Sequence, residues 1–154
     1  MTSDNAQGFV EIDHTADIAL RVWATSLNDL FKLAVDGMNS IIEFVVDENV
    51  PAKYVELFFE DIDLESMLVS LLNECNYMLQ QEKTCSTITQ IKVENEEISG
   101  KFFHQGIKCF RKEIKAVTYH NLRIDHTSTG YSVEIVFDVW WWWSDMVELT
   151  DFIK

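Results

Sequence analysis

The chain has 154 residues, 47% hydrophobic and 25% charged, a profile that suits one soluble domain with a real core. Asp plus Glu number 26 against 12 Lys plus Arg, a formal net charge of −14. Such a surface repels a phosphate backbone, which disfavours direct nucleic-acid binding and favours a cation or a basic protein partner.

The polar, acidic start from Met1 to Gly8 lacks the basic and apolar regions of a signal peptide. Phe9 to Asp13 and Ile18 to Ala24 read as strands. Ile18, Leu20 and Val22 alternate with Ala19, Arg21 and Trp23, the period of a half-buried strand. Ser26-Leu27-Asn28-Asp29 has the form of a capping box. Leu27, Leu30, Phe31, Ala34, Val35, Met38, Ile41 and Ile42 then repeat at helical spacing. Glu43 to Ala52 reads as a loop holding Pro51, and Lys53 to Ile62 as a strand. Asp63 is a candidate N-cap for a second helix. Its apolar stripe runs through Leu64, Met67, Leu68, Leu71, Leu72, Cys75, Met78 and Leu79 to about Glu82.

The remainder reads as β. Ile88 to Glu94 and Ile98 to Phe103 flank a turn at Asn95-Glu96-Glu97. Glu113 to Tyr119, Leu122 to His126 and Tyr131 to Val139 follow. Two helices and about seven strands, many hairpin-linked, predict an α+β fold. Its mostly antiparallel or mixed β-sheet would carry the two main helices packed on one face. No segment approaches the roughly 20 apolar residues of a membrane helix. Cys75, Cys85 and Cys109 are an odd set without short pair spacing, neither a disulfide framework nor a zinc site. They fit a reducing compartment, the cytoplasm or the nucleus.

Residues 140–154 form an extension in which Trp140 to Trp143 are consecutive. Side chains alternate along a strand, so at least two of these indoles must leave the core face. An appendage packed on the domain, a docking peptide and a sequence with no evolved role all fit.

Asp13 and Asp17 flank a short polar connection, and their oxygens suit a hard cation. Asp138 interrupts the apolar run from Val133 to Val139 and is the candidate third donor, since a buried carboxylate is costly unless paired or metal-bound. The competing reading makes Asp17 a turn cap and leaves Asp138 in solvent at a strand end. His14, His104, His120 and His126 have no zinc spacing, and no phosphate loop or nucleophile elbow is present. A metal-dependent hydrolase built on Asp17 and Asp138 would lack a nucleophile and a second base. Lys115, a rare basic residue inside a strand, would favour ionised carboxylates if it lay near them. An ordinary solvent-facing lysine is the alternative.

Four motifs occur in order: His14-Thr15-Ala16-Asp17-Ile18, Asp63-Leu64-Glu65-Ser66-Met67-Leu68, Lys115-Ala116-Val117-Thr118-Tyr119-His120 and Phe137-Asp138-Val139. Together they resemble the archease family over residues 9–139, which would be a single domain. The resemblance implies a protein cofactor of an RtcB-type RNA ligase, not an enzyme itself. Such a cofactor promotes GTP-dependent guanylylation of the ligase and its multiple turnover in tRNA splicing and RNA repair. It also implies a divalent-cation site for Ca²⁺, with Mg²⁺ or Mn²⁺ as alternatives. The matching ligands are Asp17, Asp138 and Val139, with Asp13 adjacent, and Lys115 matches a lysine implicated in activation. Typical members end near the position of Val139, where a terminal carboxylate reaches the metal. Here 15 residues follow, so Val139 offers only a neutral carbonyl, which weakens the site; the alternatives are that the tail supplies a substitute, Asp145, or that metal binding is lost. A general protein-binding or chaperone-like module, resting on the tryptophan run, is the second expectation.

Overall fold

A computed structural model describes residues 6–13, 17–119 and 121–141. The first sheet is built from β1 (Gly8–Asp13), β2 (Asp17–Ala24), β7 (Lys112–Thr118), β8 (Asp125–Thr127) and β9 (Gly130–Trp141). Its order is β1-β2-β9-β7, with β8 also paired to β9. The second contains β3 (Phe44–Val46), β4 (Lys53–Glu60), β5 (Thr84–Val93) and β6 (Glu97–Phe110), and β6 pairs with the other three. All pairings are antiparallel. The α+β expectation holds, with the strands divided between two sheets.

Helix α1 (Leu27–Ile42) packs on β2 of the first sheet and β5 of the second. Helix α2 (Leu64–Glu82) packs on β7 and β5. Serving two sheets widens the buried stripe of each. Leu30, Phe31, Ala34, Val35, Met38, Ile41 and Ile42 are buried as their spacing predicts. Gly37 is added because β2 passes so close that a Cβ there would meet the Leu20 side chain at 2.5 Å. Along α2, Val69 and Asn76 join the predicted stripe.

Both helices start where capping predicts. Ser26 Oγ accepts the Asp29 amide at 3.2 Å, and Asp63 Oδ1 accepts the Ser66 amide at 2.7 Å. Each ends on a left-handed residue, Glu43 and Lys83, whose amides donate to Asn39 and Met78 carbonyls. The loop after α1 holds the short strand β3. Strands β5 and β6 extend further than alternation indicates, and Gly100 (φ +155) sits where a Cβ would lie 2.0 Å from the Gln90 carbonyl oxygen. No described helix is long and apolar enough to cross a membrane. The three cysteines are free.

His104, on β6, is 5% exposed, and among the described residues neither ring nitrogen has a hydrogen-bond partner. Its ring stacks on Phe102. Burial, aided by Lys53, pushes its pKa below the usual histidine value. The neutral imidazole is therefore the native form. The unfolded chain takes up the proton first, near pH 6.5, so this contribution to stability is complete above that pH. It is lost as pH falls from there through the lowered native value. Urea unfolding at pH 7.5 and 5.5 should show a smaller acid loss for His104→Phe than for the native chain. Equal losses would contradict the assignment.

Candidate functional site

The site is assembled by register. Strand β2 pairs with β9 so that Ile18 faces Phe137, Leu20 faces Ile135 and Val22 faces Val133. All six are buried. The alternate residues lie on the outer face, where Arg21 opposes Glu134 in a 3.4 Å ion pair. One end of the same face carries Asp17 directly opposite Asp138, both half-buried. Opposed residues on adjacent strands have Cβ atoms about 4.5–5.5 Å apart, and like charges so placed are destabilising. Among the described residues neither carboxylate has a hydrogen-bond or ion-pair partner.

The third expected residue arrives by a bulge. Strand β7 pairs Ile114 with Val139 and Ala116 with Asp138, leaving Lys115 as the extra residue. Lys115 is exposed, and its Nζ lies 4.5 Å from the centroid of the Trp140 ring. Trp140 follows Asp138 by two residues and shares its face. It is 49% exposed, in keeping with an indole forced out of the core. Three neighbouring strands thus bring Asp17, Asp138 and Lys115 to one end of one sheet face.

Other expectations land differently. Asp13 pairs with Ile18, one step out of register with Asp17. The Val139 side chain is 6% exposed and turned into the core, and β9 continues through Trp141 paired to Lys112. Val139 therefore has only its backbone carbonyl to offer. His14, Thr15, Ala16, His120, Trp142, Trp143 and the tail with Asp145 lie outside the described residues. His126 stacks on Tyr131 at 4.6 Å, away from the carboxylates.

Among the described residues no group of three or more Asp, Glu, His or Cys could hold a metal. Two carboxylates facing each other still have the donor chemistry for a hard cation, which would remove their repulsion. Carbonyls or water would have to complete the shell.

Two further residues were not signalled by the motifs. Asn76 and Gln80 of α2 both donate to the carbonyl of Ile114, the residue before the bulge. The available signal was an asparagine inside an apolar stripe. Trp140 is the third addition, as the surface on which Lys115 rests.

The archease protein family model matches residues 9–139. The archease of Methanosarcina barkeri is 31% identical over 147 residues, covering 89% of this chain and 99% of that protein. The archease of Saccharolobus solfataricus is 28% identical, covering 85% and 98%. A crystal structure from Thermotoga maritima, described as an archease and possible chaperone, superposes with a TM-score of 0.61 at 25% identity, covering 82% and 94%. The solution structure of protein 1598 from Methanobacterium thermoautotrophicum shares the fold, with a TM-score of 0.63 at 22% identity, covering 85% and 98%.

The opposed aspartates generate a stability prediction. In chelator and low salt, Asp17→Asn should be more stable than the native chain by up to about 1 kcal/mol, since one of two facing charges is removed. Parallel urea denaturation checks this, and a large loss would show that Asp17 is held by a favourable contact.

Proposed function

The chain belongs to the archease family, and from that premise we propose that it is a protein cofactor of an RtcB-type RNA ligase. In this reading it promotes GTP-dependent guanylylation of the ligase and multiple turnover in RNA joining. It does not join RNA itself. The observation that supports the reading best is the convergence of Asp17, Asp138 and Lys115 at one end of one sheet face.

In this reading each of these residues has a role. Asp17 and Asp138 would hold a divalent cation, Ca²⁺ first, with Mg²⁺ or Mn²⁺ as alternatives. A bound ion supplies positive charge that neutralises the facing carboxylates and fixes the β2–β9 end. Val139 contributes at most a neutral carbonyl, one anionic donor fewer than a terminal carboxylate. Lys115 presents a cation on the same face, over Trp140, suited to an acidic or phosphate-bearing group at the partner's surface. The formal charge of −14 draws in a basic partner surface, an attraction that fades with salt.

A chaperone-like role is the second reading. The Thermotoga protein is described that way, and half-exposed Trp140 is an apolar contact in its favour.

The test is an RNA-joining assay with the cognate ligase, GTP and Ca²⁺. Adding the protein should raise turnovers per ligase, and Asp17→Ala, Asp138→Ala and Lys115→Ala should each remove the gain. A chaperone would instead raise the fraction of ligase that is active, independently of these residues. No gain in turnover counts against the cofactor reading. Calcium should also raise the melting temperature of the native chain and leave that of Asp17→Ala unchanged.

A further inference from the structure

Helix α2 reaches the Lys115 bulge through two amides. Asn76, 8% exposed, donates from Nδ2 to the Ile114 carbonyl oxygen at 2.8 Å. Gln80, one turn on, donates from Nε2 to the same oxygen and also to Asn76 Oδ1, the latter at 3.0 Å. Two linked donors thus converge on one acceptor. A buried amide is costly unless bonded, and an apolar side chain at position 76 would suit the stripe it interrupts. Something other than core packing therefore accounts for an asparagine there.

The acceptor's position supplies the reason. Ile114 is the last β7 residue in register before the bulge, and Lys115 is the residue ejected by it. Ile114 and Val117 are both buried though three residues apart. A regular strand would place them on opposite faces. Without the bulge, Lys115 would oppose Asp138 and Val117 would oppose Val136, out of the core. The bulge disrupts the ladder locally, and the amides of α2 hold the Ile114 carbonyl where this happens.

We propose that Asn76 and Gln80 are positioning residues, which fix the Ile114 carbonyl and thereby hold Lys115 over Trp140, beside the Asp17–Asp138 pair. The function of this arrangement rests on the cofactor reading, whereas the arrangement itself does not.

The experiment has two arms, both on the full chain. In the first, proton NMR reads the ring-current shift that the Trp140 indole imposes on the Lys115 ε-methylene protons. Lys115 is assigned by comparison with Lys115→Met. Asn76→Leu should abolish this shift while the protein stays folded by circular dichroism. If that buried change costs the fold, Gln80→Glu serves at a half-buried site, since its carboxylate repels both the Ile114 oxygen and Asn76 Oδ1. In the second arm, the same variant should lower ligase activation by between about tenfold and the order of a hundredfold that misplacing a positioned group by 1 Å can cost. A folded variant that keeps the Lys115 shift overturns the proposal whatever the ligase does. Activation left at the native level by a variant that has lost the Lys115 shift also overturns it, because the held position of Lys115 would then have no part in activation. If the native chain gives no activation, the cofactor reading fails alone and the NMR arm still decides the positioning.

Discussion

The pairing of Ile18 with Phe137 governs the rest of the molecule. Both side chains are buried, and both belong to strands whose large core residues recur at every second position. A slip of one residue would send Phe137 to solvent and draw Asp138 into the core. Stripping a buried phenylalanine to alanine alone costs about 3–5 kcal/mol. That penalty fixes the register, and the register places Asp17 opposite Asp138. Two facing carboxylates would not assemble by their own attraction. The hydrophobic face behind them imposes their meeting.

The helices contribute the third strand. Helix α2 packs on β7 and closes the core from the side where Ile114 and Val117 enter it. A helix bearing on two sheets has less freedom to shift than one lying on a single face. Its polar residues can therefore serve as fixed points. A few of them thus reach elements distant in sequence: Asn76 meets Ile114, and Asn39 of α1 donates to the Ser86 carbonyl of β5 at 2.9 Å.

Legibility followed the local content of each segment. Both helices could be read closely because Ser26 and Asp63 cap them and their apolar stripes are long. Strands β5 and β6 were read short. Cys85 and Ser86 are buried but do not look like strand residues, and His104-Gln105-Gly106 breaks the apolar alternation. The division into two sheets was hidden because periodicity says which face is buried, not what covers it. Asp17 and Asp138 could be named from motifs, yet their adjacency depends on a register set by long-range packing. The bulge had a sequence trace, the odd spacing of Ile114 and Val117, but reading it requires knowing that both are buried.

The contact between Lys115 and Trp140 has a further consequence. An exposed cation–π contact is worth about 0.5–1 kcal/mol, close to thermal energy at room temperature. A free lysine explores many rotamers and loses much of that freedom on being held. The indole surface narrows the search beforehand and binds too weakly to retain the ammonium group against a charged competitor. Lys115 is aimed and releasable at once, so a partner meets a cation that is partly ordered before contact and has little to give up in leaving the ring.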